Sequence, residues 1–315
     1  MNTNPSIGVA ILTFNGMKHL PKCLTAVLNS KGIDKVLVID SSSTDGTVEY
    51  VRKTNIELLC IPQSEFNHGL TREKARKYLN TDIVVMLTQD AYLVDESSIE
   101  NLIKPIVFKK CAVTYGRQIP HDGAKFYESF PRHYNYPIVK SILQVRTMAN
   151  LNIYGAKLFF CSDSFSAYAN DKLDEIGGFP ETLTHEDYLV SFKLLRNGYA
   201  IGYVSNAIVK HSHDYSLVME LKRHFDAGFV RGKFKELEDT TGKTEKIGVS
   251  FAIEFIKATK KQKGIIYIPY SLSILIAKYI GFKLGYFGVT FLPIAFKKRL
   301  SSHRFYWESI YVKTK

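Results

Sequence analysis

The segment Ile83-Val84-Val85-Met86-Leu87-Thr88-Gln89-Asp90 limits the fold more than any other stretch of the chain. It opens with an unbroken apolar run that begins on β-branched residues. A half-exposed strand would alternate apolar with polar positions, so this run suits a strand covered on both faces, as in a parallel sheet flanked by helices. Ligands of such sheets gather at the carboxyl ends of the strands. The run stops at Asp90, and the strand is therefore expected to deliver one carboxylate to a site. A hard cation held by that acid would offset the charge of a bound diphosphate. In isolation the same acid also reads as a cap on the next turn.

Upstream, the pattern repeats. Ile7-Gly8-Val9-Ala10-Ile11-Leu12 leads into Thr13-Phe14-Asn15-Gly16, a first strand and its loop. Leu20, Leu24, Val27 and Leu28 then follow helical spacing. Lys35-Val36-Leu37-Val38-Ile39-Asp40 is a second strand ending on an acid. The loop Ser41 to Thr47 that follows is rich in short polar side chains, with Asp45 placed to cap the next helix. Ile56 to Ile61 reads as a third strand, and Glu65 to Arg72 as a loop entering a helix that runs to about Leu79. Alternation of strand and helix over the first ninety or so residues predicts a doubly wound parallel sheet with right-handed crossovers.

Composition narrows the function classes. At 315 residues the chain can bury a substantial core, and with 45% hydrophobic and 23% charged residues it is not a disordered polypeptide. Its formal net charge of +12 favours anionic partners. Cys23, Cys60, Cys111 and Cys161 are too scattered for a zinc motif or a disulfide framework, which fits a reducing compartment. No basic stretch with an apolar core precedes the first strand, and a cytoplasmic protein is expected.

Two further constellations carry chemistry. Gly177-Gly178-Phe179-Pro180-Glu181 forms a turn before His185-Glu186-Asp187-Tyr188, which opens a helix marked by Leu189, Phe192 and Leu195. An acid there is favourable at a helix N-terminus whatever else it does. His211-Ser212-His213, if extended, puts two imidazoles on one face, a geometry suited to one cation or to a diphosphate. Val113 to Gln118 reads as another strand, with Arg117 at its active edge. The aromatic and basic stretch from Pro120 to Asn152 is core filling or a sugar-stacking surface.

The order Thr13-Phe14-Asn15, then Ile39-Asp40-Ser41-Ser42-Ser43-Thr44-Asp45-Gly46-Thr47, then Thr88-Gln89-Asp90-Ala91 resembles the family 2 glycosyltransferases. Phe66-Asn67-His68-Gly69 followed by Arg72, with Gln-Asp-Ala in place of a full Asp-x-Asp, is similar to the bacterial rhamnosyltransferases that use dTDP-L-rhamnose. The resemblance implies the GT-A fold, an α/β nucleotide-diphosphosugar transferase with a Rossmann-like mixed sheet flanked by helices. It implies that Thr13, Phe14, Asn15, Asp40 and Ser42 hold the nucleoside. Asn67, Gly69, Arg72, Gln89 and Asp90 are implied for the rest of the donor, Arg72 through a fork of donors to phosphate or sugar. Asp187 takes the place of the general base, with Glu186 in reserve and Arg117 on the acceptor side. Asp90 with His211 and His213 would hold Mg2+ or Mn2+. Because Thr88 occupies the first position of the usual acidic triplet, Asp90 is its only carboxylate, and the metal requirement stays open.

Beyond Ser216 the chain changes character. Leu217 to Leu237 reads as a basic helix, and Ile265 to Phe296 is apolar and aromatic with Lys278 and Lys283 inside it. Those lysines, Pro269, Pro293 and repeated glycines argue against a clean spanning helix and for an amphipathic segment in the membrane interface. A hairpin packed in its own core or in a dimer is the alternative. The expected organisation is a GT-A domain over residues 1–216 and a helical, membrane-associating region over 217–315. The expected activity is inverting transfer of L-rhamnose from dTDP-L-rhamnose to a polyprenyl-diphosphate-linked oligosaccharide of a surface polysaccharide, on the inner face of the cell membrane. Nucleic acid is not an expected partner. The rivals are a family member using a UDP-hexose or UDP-N-acetylhexosamine, a nucleotidyltransferase of similar fold, for which Thr13-Phe14-Asn15-Gly16 lacks the Arg-containing loop, and a non-catalytic binding protein that retains the fold.

Overall fold

The computed structural model of the protein describes residues 5–241 and 245–313. Nine strands form one mixed sheet: β1 Ile7–Thr13, β2 Lys35–Asp40, β3 Glu57–Cys60, β4 Ile83–Thr88, β5 Tyr92–Leu93, β6 Val113–Ile119, β7 Leu143–Arg146, β8 Phe165–Ala169 and β9 Ile201–Lys210. Their order is β3-β2-β1-β4-β8-β6-β9-β5, with β7 on β9. The first four strands are parallel, as the alternation of strand and helix predicts. The short β5 and β7 are additions that no apolar run announced. β9 is ten residues long and leads directly to His211.

Every residue of β1 is buried, and β4 is buried through Leu87. Val84 and Met86 face one core with Ala75 and Leu79 of the helix His68–Leu79. Val85 and Leu87 face the other, with Leu20, Leu24 and Val27 of one helix and Ile99, Leu102 and Ile106 of another. Each such side chain contributes roughly 1.5–3 kcal/mol on leaving water. Both layers fix the height of Asp90 at the strand end.

Strand direction decides what meets there. β1, β2 and β4 end together, with Thr13 opposite Asp40 and Leu12 opposite Thr88. β8 runs antiparallel between β4 and β6, pairing Leu87 with Phe165, so the residues just before β8 lie at the edge where β4 ends. β6 and β9 are parallel to each other and end together at Ile119 and Lys210, which puts His211 at that edge too.

The C-terminal helices are not a separate unit. Phe225, Phe229 and Val230 of the helix Leu217–Lys233, with Tyr306 and Trp307, share the core that covers one sheet face. The boundary at 216 divides sheet from helices and leaves the core undivided. The segment expected in the membrane interface contains one continuous helix, Ile268–Phe291, long and apolar enough by length and composition to cross a membrane. Pro269 sits in its first turn, where no N–H is needed, and Pro293 lies past its end. Its glycines serve close packing. A Cβ at Gly281 would stand 2.1 Å from the Leu221 carbonyl oxygen and one at Gly285 1.9 Å from that of Phe225. Reciprocally, one at Gly228 would stand 2.0 Å from the Phe282 oxygen and one at Gly232 2.5 Å from the Tyr286 oxygen. Two glycine pairs spaced by four thus let the helix backbones touch. Lys278 faces the same neighbour and pairs with Glu220 at 2.8 Å, so this interior lysine is satisfied within the protein.

Candidate active site

The loops after β1 and β2 are laced together. Asn15 adopts a left-handed φ of 46°, which a short polar side chain tolerates, and its Oδ1 accepts from the Thr44 amide at 2.9 Å. The Asn15 amide donates to Ser43 Oγ at 2.7 Å, and Gly16 and Met17 donate to Thr47 and Asp45 at 2.9 Å each. Asp45 is not the cap of the following helix, because Gly46 holds that position; Asp45 binds the Thr47 amide and hydroxyl instead. Phe14 stands exposed at the loop tip.

Asp40, expected to hold the nucleoside, is fully buried. It accepts from Thr13 Oγ1 at 3.0 Å, from the Ser43 amide at 2.8 Å and from Ser43 Oγ at 2.5 Å, so it orders the loop from beneath. Ser42 is correspondingly turned away, its hydroxyl donating to the Ile61 carbonyl at 3.0 Å. Asn67 is the N-cap of its helix, accepting from Gly69 and Leu70 at 3.1 Å each and from Thr182 at 3.3 Å. Gly69 is required sterically, since a Cβ there would stand 1.8 Å from the Pro180 carbonyl oxygen. In these placements Asp40, Ser42 and Asn67 engage nearby main chain and hydroxyls, as short polar groups at strand and helix ends commonly do.

Asp90, His211 and His213 meet at one corner of the site. Asp90 Oδ1 lies 3.5 Å from His211 Nε2 and Oδ2 lies 3.6 Å from His213 Nε2, so both histidines face the acid. The three ligand atoms lie within 4.8 Å of one another. Gln118 Oε1 accepts from Arg132 Nη1 at 2.7 Å and lies 2.8 Å from His211 Nδ1. That pairing places the His211 proton on Nδ1 and leaves a lone pair on Nε2, pointed at Asp90, as a metal-ligating imidazole needs. Burial pushes both imidazoles below their ordinary range, so they are neutral near pH 7. The donor set fits a divalent cation.

A second cluster lies at the start of β8. The Asp163 amide donates to Asp187 Oδ2 at 3.2 Å, and the Tyr188 amide to Oδ1 at 2.7 Å. Arg72, expected to offer its fork to a phosphate or sugar, is buried. Its Nε lies 2.8 Å from Asp163 Oδ2 and its Nη1 2.8 Å from Glu186 Oε1. Glu186 is therefore committed to an internal ion pair. Asp187, its neighbour in the first helical turn, keeps a partly open face. His185 before it is left-handed at φ 62°, which swings the helix start inward. Desolvation first, then the charges of Glu186 and Asp163, raise the Asp187 carboxyl well above its ordinary range. Desolvation, opposed by Arg72, raises Asp163 to about 6.

Three site residues went unforeseen. Gln118 links the two corners, its Nε2 donating to Ser162 Oγ at 2.8 Å, one residue from Asp163. The sheet register shifts between Gly116 and Arg117, and the Arg117 charge reaches Tyr203. Asp163 and Arg132 carried no motif, and only the strand reversal at β8 and the adjoining helix bring them in.

A mixed sheet with these crossovers, its acids collected at one edge, defines the GT-A class of nucleotide-diphosphosugar transferases. Two solved structures share the fold: a mannosyltransferase from Pyrobaculum calidifontis in complex with GDP-Man and Mn2+ (TM-score 0.56, 16% identity, 99% of this chain and 87% of that one) and S. aureus TarS in complex with UDP-GlcNAc (0.53, 16%, 90% and 91%). The chain belongs to glycosyl transferase family 2, whose pattern matches residues 8–177. It is a glycosyltransferase. It is 34% identical over 308 residues to the O-antigen chain rhamnosyltransferase RfbN of Salmonella typhimurium, covering 96% of each chain. The O-antigen chain rhamnosyltransferase WbaN of Salmonella anatum is also 34% identical, over 88% of this chain and 87% of its own.

Proposed function

We propose that the protein transfers L-rhamnose from dTDP-L-rhamnose, with inversion, to a polyprenyl-diphosphate-linked oligosaccharide of a surface polysaccharide. The end-to-end similarity to two enzymes named O-antigen chain rhamnosyltransferases carries this reading. In it Asp187 accepts the acceptor hydroxyl proton as that oxygen attacks the anomeric carbon. The bond from that carbon to the diphosphate breaks on the opposite face, and dTDP leaves with the electron pair. The Asp163 and Tyr188 amides aim the carboxylate, and its raised affinity for protons suits a base working near neutrality. The laced loops that carry Thr13, Phe14 and Asn15 seat the nucleoside. A divalent cation held by Asp90, His211 and His213 would supply positive charge to the departing diphosphate.

The acceptor's lipid places the enzyme on the inner face of the cell membrane. Tyr279, Ile280, Leu284, Phe287 and Phe291 leave an apolar flank exposed on the helix Ile268–Phe291, while Lys260, Lys261 and Lys263 precede it and Lys297 to Arg299 follow it. An apolar face bracketed by cations complements an anionic bilayer surface. A donor screen with lipid-linked acceptor tests the whole reading. Turnover of dTDP-L-rhamnose is expected; turnover of a UDP- or GDP-sugar in its place would reassign the donor, and turnover of none would favour a binding protein.

A further inference from the structure

We propose that Arg72 is a positioning residue for proton transfer: one buried cation holds Asp163 and Glu186, the two acids that flank Asp187, and thereby sets where Asp187 sits and how readily it takes a proton. The proposal rests on the reading of Asp187 as the base.

Three elements converge. Arg72 comes from the helix His68–Leu79, Asp163 from the lead-in to β8, and Glu186 and Asp187 from the first turn of the helix Glu186–Arg196. Arg72 Nη1 also donates to the His68 carbonyl at 2.9 Å, which locks the guanidinium to its own helix. On the far side Asp163 Oδ1 accepts from Ser166 Oγ at 2.6 Å and Tyr168 OH at 2.5 Å, so its carboxylate cannot turn. Its amide is therefore fixed, and that amide donates to Asp187. Other ionisable groups facing the cluster are Cys161, Tyr168 and Tyr136, which burial keeps neutral, and His68, 3.9 Å from Glu186, and His185, both of which burial holds below the ordinary imidazole range. Arg72 is thus the cation that three carboxylates share.

The sign follows from charge. Without the guanidinium, Asp163 and Glu186 repel negative charge on Asp187 unopposed, the base holds its proton to higher pH, and the neutral-pH rate falls. A planar fork can hold two acids at once, whereas an ammonium supplies the charge at a single point. Gln118 bridges this cluster to the cation corner, so the test is made with the metal saturating and that corner held constant.

The experiment is the pH dependence of kcat/KM for the full-length enzyme with saturating Mn2+. Wild type is compared with Arg72→Met, Arg72→Lys, Asp163→Asn and Asp187→Asn. Arg72→Met should move the acidic limb up by about one pH unit or more, Arg72→Lys should recover most of that shift, and Asp163→Asn, which removes a like charge, should move the limb down. Opposite movements cannot come from general loosening of the fold. An unmoved limb in Arg72→Met, with only the donor KM raised, would mean that Arg72 touches the donor and would overturn the proposal. If Arg72→Met does not fold, unmoved limbs in Arg72→Lys and Asp163→Asn overturn it equally. Wild-type turnover by Asp187→Asn would instead dismiss the base assignment, whatever Arg72 does.

Discussion

Gln89 grips the main chain of Phe14 on both sides: its Nε2 donates to the Phe14 carbonyl at 3.1 Å, and its Oε1 accepts from the Phe14 amide at 3.0 Å. Gly16 permits the approach, since a Cβ there would stand 2.4 Å from the same Oε1. The nucleoside loop is thereby tied to the strand that carries Asp90. Gln89→Ala should loosen the loop and raise the donor KM by about tenfold with a smaller change in kcat, because order lost before binding must be restored on binding. Steady-state kinetics with varied donor read this directly, and a fall confined to kcat would contradict it.

Asp187→Asn keeps the shape of the side chain and removes its basicity. Turnover should fall by about a hundred- to ten-thousand-fold, while donor affinity by calorimetry stays close to wild type. Loss of donor binding in parallel with turnover would mean that the residue acts on the nucleotide.

Asp163 gives a pH signature in stability. Its carboxyl is raised to about 6 in the folded protein, above the unfolded value near 4, so the folded state binds the proton more tightly. This contribution is fully present below about pH 4 and is lost as pH rises through about 6. The Tm of wild type relative to Asp163→Asn should therefore fall between those limits. A difference that grows with pH would reverse the assignment.

Much of this arrangement was legible in the sequence, for a physical reason. Apolar runs dictate buried strands, and β1, β2 and β4 fall where their runs predict, which places Asp90 without further information. The paired histidines were found because two imidazoles one residue apart share a face in extended chain. Asp163 and Gln118 were invisible because their partners lie far off in sequence, across β8 and β9, and no local pattern encodes a strand reversal. The local partners of Asp40 and Asn67, which include main-chain amides two or three residues on, follow from loop and cap geometry that an apolar run does not reveal. The prolines and glycines of the apolar segment leave its helix continuous, since Pro269 falls in the first turn, Pro293 past the end, and Gly281 and Gly285 at a close contact.

Close helix contact makes Gly285 intolerant of any side chain. Gly285→Ala places a Cβ 1.9 Å from the Phe225 oxygen and should destabilise by about 1–3 kcal/mol. Gly248→Ala, in the helix Glu245–Gln262 with nothing within 4 Å of the new carbon, should instead stabilise by roughly 0.5–1 kcal/mol. Thermal melts of the two variants check the contrast, and equal Tm values would remove the interlock.

The apolar flank predicts lipid binding. Phe287→Glu, at a site 56% exposed, should release the protein from anionic vesicles in flotation while sparing turnover of a soluble acceptor. Retention on vesicles by this variant would point to the basic residues alone.

Four glycines leave the helix Ile268–Phe291 no freedom to roll against its partner, and that partner is cemented into the sheet through Phe225 and Phe229. Whatever surface the outer flank rests on, the acids stand above it at a set height and tilt, like a tool on a fixed post. Reach toward a growing chain must then come from the slack of the chain itself.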